Sequence, residues 1–192
     1  MSGIQIVLFD FLGKTTKPTK INFFAGLSSN FRGANSVIKY DTVMTNDGNG
    51  YQTTTGCFIA PTDGVYFIQS NALRCQNSGQ LYIHIMHNSN IVSSTSNLDE
   101  TFESVSASVV LNLRKGDVVW IKLRIGQVYG HSPSHYTNFM GYCITDEGSG
   151  RSARDEIELS QEQMIENARK IIAETLLKDN EANEPALIMP EA

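Results

Sequence analysis

The sequence predicts an all-β sandwich followed by an acidic, helical C-terminal tail. Runs rich in β-branched and aromatic residues recur at short intervals with turn signals between them, as in proteins built from many short strands. In the run 118–125, large side chains alternate with a period of two, which places them on opposite faces of a strand. Helical periodicity follows only after a Gly-Ser-Gly joint at 148–150. The strand-like runs are 64–70, 80–86, 105–113, 117–125 and 137–145.

The segment 40–68 carries the most specific pattern in the chain. Its glycines and Pro61 exclude an amphipathic helix, because each would break the helix or weaken it. The tripeptides Asn-Asp-Gly at 46–48 and Thr-Asp-Gly at 62–64 supply the chemistry of tight turns. The segment is therefore a set of short strands joined by turns, with aromatic residues at Tyr40, Tyr51, Phe58, Tyr66 and Phe67.

This spacing resembles the signature of the C1q globular-domain family. That signature has an aromatic residue, Asn or Asp six positions later, an aromatic five later, a Phe seven later, and then Gly-x-Tyr-x-Phe. Ile68 and Ser70 stand where the family prefers aromatic residues. The matching positions are Tyr40, Asn46, Tyr51, Phe58, Gly64 and Tyr66.

Three further windows resemble the same family in the same order. They are the opening strand at 24–27, paired strands around a Lys-Gly-Asp turn at 107–123, and the closing strand at 136–144. Together with the signature they cover roughly residues 18–146. The resemblance implies a ten-stranded jelly roll of the tumour necrosis factor type that assembles as a tight homotrimer.

Charge divides the chain into a near-neutral domain and an acidic tail. Residues 1–154 carry 12 Lys and Arg against 10 Asp and Glu, whereas residues 155–192 carry 3 against 10. A near-neutral domain lacks the basic field that nucleic-acid binding requires, so we expect no nucleic-acid partner. The expected organisation is a lead-in at 1–17, a C1q-like globular domain at 18–146 and an acidic tail at 147–192.

The tail contains one predicted helix, at 160–178. A capping box at 160–163 begins it, and Asp179-Asn180 followed by prolines ends it. Three interpretations stay open: a loosely docked acidic tail, an apolar stripe that oligomerises or captures a partner, and an engineered linker and tag beginning at Gly148. The stripe comprises Met164, Ile165, Ala168, Ile171, Ile172, Thr175 and Leu176.

Several late strands carry large side chains on both faces, as at 118–121 and around Phe139. Either such strands are central and covered on both sides, or one face meets a neighbouring subunit. The family resemblance favours the subunit interface. The residues expected in the core or in the trimer interface are Tyr66, Trp120, Phe139 and Tyr142.

The residues that could carry catalysis form no recognisable constellation, so we expect no enzymatic activity. Cys57, Cys75 and Cys143 form no Cys-x-x-Cys motif, and their odd number leaves at least one thiol unpaired within a subunit. His131 and His135 share a loop, but two ligands fall short of a zinc site, and no metal ligand is assigned.

Calcium stays open as a cofactor because some heads of this family bind it near the trimer apex. The oxygen-bearing residues of the segment 40–63 do not have the spacing of an EF-hand loop, and turn formation already explains them. No calcium ligand is therefore assigned from the residues Asp41, Asn46, Asp47, Asn49 and Asp63.

Ligand contacts are expected in the irregular polar loops at 74–79, 88–103 and 128–136. Within the last loop, His131, His135 and Tyr136 are the candidate ligand-binding residues, because such side chains hydrogen-bond sugars. The alternative is that these loops are merely solvated.

The expected function is that of a non-enzymatic, trimeric head for pattern recognition or lectin-like binding in innate immunity. Its ligands would be carbohydrates or microbial surfaces, or another protein. The alternative is a trimeric scaffold, cerebellin-like or matrix-like, that uses the helical tail for partner contacts. No collagen repeat is present, so direct ligand capture is favoured over the triggering of complement through a collagen stalk.

The apolar run 4–12 is too short for a membrane helix, which needs about 20 residues, and is a poor secretion signal. No membrane span is expected. The family resemblance nevertheless implies a secreted, extracellular protein, so a mature form, a fragment and an intracellular protein all stay open as interpretations.

Overall fold

Two antiparallel sheets packed face to face form the body of the computed structural model, which describes residues 20–97, 102–146 and 159–181. The predicted lead-in at 1–17 and much of the tail lie outside these residues. The elements are β1 (Asn22–Gly26), β2 (Phe31–Arg32), β3 (Ser36–Val37), β4 (Thr42–Asp47), β5 (Tyr51–Gln52), β6 (Cys57–Ile59), β7 (Gly64–Leu73), β8 (Leu81–His87), β9 (Asn90–Asn97), β10 (Ser104–Leu113), β11 (Val118–Ile125), β12 (Gln127–Val128), β13 (Asn138–Asp146) and α1 (Gln161–Glu181).

The first sheet has the strand order β10-β7-β13-β1-β4, and the second has the order β5-β6-β11-β8-β9. The predicted all-β sandwich is confirmed. The described residues contain thirteen strands rather than ten, because the two-residue strands β2, β3 and β12 add to the two rows of five.

Aromatic rings fill the space between the sheets. Phe23 of β1 stacks on Phe58 of β6 at 4.7 Å between ring centroids and meets Phe139 of β13 edge-on at 4.8 Å. Tyr66 and Phe139, both expected in the core or at an interface, are fully buried here. Because these rings come from both sheets, they fix how the sheets face each other.

The residues of the family signature have structural roles around Tyr40 and Tyr51. The Tyr51 hydroxyl donates to the Tyr40 carbonyl and accepts from the Tyr40 N–H, each at 3.0 Å. The Asn46 side chain bonds the backbone N–H and carbonyl of Tyr51 at 2.9 and 3.0 Å. Ser70, one of the two departures from the signature, places its Oγ 3.4 Å from the buried Tyr40 hydroxyl. The smaller residue thus gives a buried phenol a polar partner.

Helix α1 packs lengthwise on the outward face of the second sheet. Its predicted capping box is present: Ser160 N–H donates to Gln163 Oε1 at 2.8 Å, and Gln163 N–H donates to Ser160 Oγ at 3.2 Å. The sequence predicts residues 160–178, and the helix of the structure runs over Gln161–Glu181. Its apolar side forms a second core cluster with the sheet, built on the buried residues Cys57, Ile59, Met86, Val118, Trp120, Ala168 and Ile172.

This packing gives the apolar stripe on α1 a contact within its own chain. The stripe contacts the same chain's own sheet, so in this structure it is not an open surface for a partner. Trp120 lies fully buried beneath it and donates its indole N–H to the carbonyl of Asn88 at 3.0 Å. Sequence periodicity predicted the stripe but could not identify the surface that it covers.

Replacing Trp120 by alanine should lower the free energy of unfolding by about 3–5 kcal/mol, because it leaves a large cavity between β11 and α1. Urea unfolding followed by circular dichroism measures the loss. Leu177→Ala on the exposed side of α1 is the control and should change stability by about 0.5 kcal/mol or less. Equal effects of the two substitutions would contradict the packing described.

Candidate ligand-binding site

Four aromatic rings meet at one end of the sandwich, and we call them the aromatic cluster: Phe102, Tyr129, His131 and Tyr136. Ring centroids lie 5.4 Å apart for Phe102 and Tyr129, 6.0 Å for the two tyrosines, and 6.2 Å for His131 with each tyrosine. Phe102 is 51% exposed and Tyr136 47% exposed. Contiguous exposed rings of this kind are unusual on a protein surface unless something binds there.

The loop between β12 and β13 is fixed to the sandwich on both sides of the cluster. Tyr129 N–H donates to the Leu73 carbonyl at 2.7 Å. The fully buried Thr137 hydroxyl donates to the Tyr129 carbonyl at 2.6 Å and accepts from Leu73 N–H at 3.1 Å. The Asn71 amide donates to the Tyr136 carbonyl at 2.6 Å. These bonds hold the backbone that carries Tyr129, His131 and Tyr136, so these three rings are positioned before any ligand arrives.

At Gly130, the backbone of the same loop comes close to the backbone of residues 29–30. A side chain on Gly130 would overlap the Ser29 carbonyl oxygen, so only glycine fits. The Gly130 N–H donates to Asn30 Oδ1 at 3.1 Å, and the His131 N–H donates to the Leu27 carbonyl at 3.1 Å.

His135 lies apart from the cluster, although the sequence placed it with His131 and Tyr136. Its N–H donates to the His131 carbonyl at 2.8 Å, and its backbone adopts a left-handed conformation with a φ of 44°. Its ring packs on Gly26, where a side chain on that glycine would collide with it. Its Nδ1 is buried without a hydrogen-bond partner among the described residues. The structure therefore brings together two of the three predicted residues.

Two members of the cluster, Phe102 and Tyr129, were not singled out in the sequence. Both lie within the polar loops predicted to contact ligand, at 88–103 and 128–136. An aromatic residue within an otherwise polar loop is the signal that could have identified them. Their proximity to each other depends on the fold and is not visible in the sequence.

The cluster lies at the end of the sandwich opposite the first residue of β1 and the last of β13. Gly26, at the end of β1, pairs with Asn138, at the start of β13, next to the loop that carries the rings. Asn22, which begins β1, pairs instead with Tyr142. Whatever is attached before β1 or after β13 therefore starts from the far end of the domain.

The outward face of the first sheet carries a separate apolar row across three adjacent strands. Tyr142 of β13 pairs in register with Phe67 of β7, and Phe67 pairs with Val110 of β10. Val110 is 60% exposed and Tyr142 44% exposed, and the rings of Phe67 and Tyr142 lie 5.4 Å apart. Tyr142, expected in the core or at an interface, thus lies on the surface of the single chain.

The oxygen-bearing residues considered for calcium hold loops together instead. Asp41 accepts from the N–H and hydroxyl of Ser28, Asp47 pairs with Lys20 at 2.9 Å, and Asp63 accepts from the N–H of Lys115 at 2.7 Å. Within residues 20–97, 102–146 and 159–181, no three His, Cys, Asp or Glu residues are grouped as metal ligands would be. These residues do not fit a calcium site, and calcium has no assigned ligands.

The three cysteines form no disulfide with one another, and burial makes two of them poor nucleophiles. Cys57 and Cys75 are buried and Cys143 is half-buried. Burial raises the pKa of the Cys57 thiol to about 11 and raises that of Cys75, so the reactive thiolate is scarce at neutral pH.

Among the helices of the described residues, none has the length and apolar character to span a membrane.

Comparison with known proteins places these features in a family. The family model of the C1q domain matches residues 22–144. The mouse and human proteins named "Complement C1q tumor necrosis factor-related protein 3" are each 34% identical over 127 residues, which is 65% of this chain and 51% of theirs. The chain thus spans about half the length of these relatives. Helix α1 lies outside the residues that the family model matches.

Solved structures support the same fold. The globular domain of zebrafish complement 1qA superposes with a TM-score of 0.55 at 20% identity, covering 66% of this chain and 99% of that one. Murine APRIL at pH 8.5 gives 0.54 at 11% identity, covering 65% and 99%. At these identities the likeness shows the fold alone, and it confirms the predicted jelly roll of the tumour necrosis factor type. With the family model matched over most of the sandwich, the chain belongs to the C1q domain family.

Proposed function

We propose that this chain is a non-enzymatic head that recognises ligands through the aromatic cluster and acts as a homotrimer. The observation that carries the proposal is the cluster itself: partly exposed rings from two loops, on a backbone fixed by buried hydrogen bonds. Aromatic rings offer flat apolar faces with little conformational entropy to lose on binding. A rigid sandwich with functional loops at one end is also the usual arrangement of binding domains.

Carbohydrate is the ligand class that this surface suits best. The apolar face of a sugar ring stacks on an aromatic ring, while its hydroxyl groups need hydrogen-bonding side chains at the edge. The cluster includes the exposed His131, and the exposed Asn30, whose Oδ1 also accepts from the Gly130 N–H, lies beside it. Microbial surface glycans, recognised outside the cell as part of innate immunity, are therefore the proposed targets, and membership of the C1q domain family supports that setting.

The proposed trimer interface is the outward face of the first sheet. The row formed by Val110, Phe67 and Tyr142 is apolar, contiguous and partly exposed, as subunit interfaces are before assembly. A three-fold axis would then place three copies of the cluster at one level, because rotation keeps each at the same height along the axis. Three linked sites bind a dense surface far more strongly than one.

The scaffold alternative, in which the helical tail contacts partners, has less support. The stripe of α1 already contacts Trp120 and its neighbours in the same chain. The solvent side of α1 instead carries charged pairs such as Glu166 with Arg169 at 3.1 Å. A partner would have to displace the helix from its own sheet.

Tyr142→Arg should convert the trimer to monomers, because it buries three unpaired cations near the proposed axis. Sedimentation velocity at micromolar concentration measures the assembly state. Leu177→Arg, also at an exposed apolar position but on α1, is the control and should leave a trimer. A trimeric Tyr142→Arg protein, or a wild type that sediments as a monomer, would refute the proposed interface.

The double substitution His131→Ala and Tyr136→Ala should weaken glycan binding at least tenfold while leaving the trimer intact. Binding to a printed glycan array measures the loss, and sedimentation checks the assembly. Ile91→Ala, which removes an exposed apolar side chain from β9, is the control and should bind as the wild type does. Undiminished binding by the double variant would show that recognition lies elsewhere.

Binding should also depend steeply on ligand density. The wild-type trimer should bind a dense glycan surface roughly 10²–10⁴ times more strongly than a sparse one, because its sites are linked. Tyr142→Arg monomers should lose most of this difference while binding the sparse surface as the wild type does. Surface plasmon resonance at two immobilisation densities makes the comparison, and an unchanged density dependence in the monomer would contradict the proposal.

A further inference from the structure

Helix α1 runs along β11 in a fixed register with the outward-facing residues of that strand. Near its start, the sulfur of Met164 lies 4.0 Å from where a side chain on Gly116 would begin, and near its end Asp179 pairs with Lys122. The helix rises about 22 Å between Met164 and Asp179. On the sheet, the first contact lies in the turn before β11 and the second at the fifth residue of that strand.

The contact between α1 and β11 is apolar along most of its length and charged at the end of α1. Val118, Trp120 and Lys122 follow each other on the outward face of β11, so the third position under the helix is a lysine. Its side chain is only 2% exposed, and its ammonium group donates a hydrogen bond to the carboxylate of Asp179, which is 37% exposed. Beside this pair, the Asn35 amide donates to Asn180 Oδ1 at 3.1 Å.

The groups around this pair are mainly cationic. His84 of β8 pairs in register with Lys122, and its Nδ1 lies 2.7 Å from the Ser94 hydroxyl of β9. Arg124 follows on β11 and donates to Asn35 Oδ1 at 3.1 Å. On α1, the exposed Lys178 precedes Asp179, and β3 contributes no charge, since Val37 is the partner of Lys122 there. The Lys122–Asp179 pair therefore lies near further basic residues at the end of the helix.

We propose that α1 is an acid-released cover: when Asp179 and His84 take up protons, the C-terminal half of the helix detaches and uncovers the face around Trp120. Neutralising Asp179 leaves the buried Lys122 ammonium without its carboxylate, and a buried unpaired charge is strongly unfavourable. Protonating His84 adds a further cation beside Lys122. Detachment of the helix end relieves both, because water then reaches these groups.

The direction of the pH dependence follows from the same contacts. Burial, then the charges of Lys122 and Arg124, hold the pKa of His84 below 6.5, and burial followed by Arg124 lowers the pKa of Lys122. His84 binds its proton less readily while the helix is docked, so docking weakens as pH falls below 6.5, whereas the loss that Lys122 contributes begins near its ordinary pKa of 10.5. The titration of His84 therefore sets the start of release, below about pH 6.5, and protonation of the Asp179 carboxylate, which the Lys122 ammonium opposes, completes it at lower pH.

The single tryptophan of the chain makes the release measurable in the full-length protein. Between pH 7.5 and pH 4, Trp120 emission should shift to the red and the amides of 171–181 should lose at least tenfold of their hydrogen-exchange protection. Amides of β7 and β13 should stay protected, which separates release from unfolding. Both transitions should reverse when the pH is restored.

Variants identify the groups responsible. Lys122→Met removes the buried charge and should keep the helix docked throughout the range, whereas His84→Gln should move the midpoint to lower pH. Asp179→Asn should loosen the helix already at pH 7.5. Glu174→Gln removes an exposed carboxylate that faces Lys170 rather than the sheet, and it should titrate as the wild type does.

Three results would overturn the inference. One is constant Trp120 emission and constant protection of α1 down to pH 4. Another is an acid transition in Lys122→Met at the wild-type pH. The third is loss of protection in β7 and β13 together with α1, which would mean that acid unfolds the whole domain.

Discussion

The rest of the structure depends on the contact between aromatic rings from the two sheets, centred on Phe23. That ring stacks on Phe58 in the second sheet and meets Phe139 in the first, so a single residue of β1 links both layers. Because Phe139 lies at the start of β13, the same contact fixes the position where the loop that carries Tyr129, His131 and Tyr136 rejoins the sandwich. The aromatic cluster is therefore oriented by the core and not by the loop alone.

The sequence carried most of the information about the sandwich and less about the surfaces. Period-two alternation and the spacing from Tyr40 to Tyr66 depend on local geometry, so strands and family could be read directly. The apolar stripe and the capping box of α1 were equally predictable from the sequence. The surface under the helix could not be predicted from the sequence. Its identification requires knowing that Trp120 points outward from the sheet, and alternation alone does not say which face of a strand is the interior one.

The candidate site was predictable in part for a related reason. His131 and Tyr136 share one loop, and a loop rich in such residues is a reasonable guess for ligand contact. Phe102 arrives from a different loop, brought next to Tyr129 by the packing of distant strands. His135 sits between two members of the set in sequence, yet its left-handed backbone turns its ring toward Gly26. Proximity along the chain therefore included one residue that lies outside the cluster and omitted two that belong to it.

The position of α1 outside the family match has a practical consequence for solubility. A fragment cut at residues 22–144 would retain the jelly roll but expose Trp120, Met86 and Val118 side by side, all of which are buried when the helix is present. Such a contiguous apolar patch on a sheet promotes aggregation. In evolutionary terms, the tail and this face of the sheet must change together, because a substitution in either leaves the other with a surface unsuited to water.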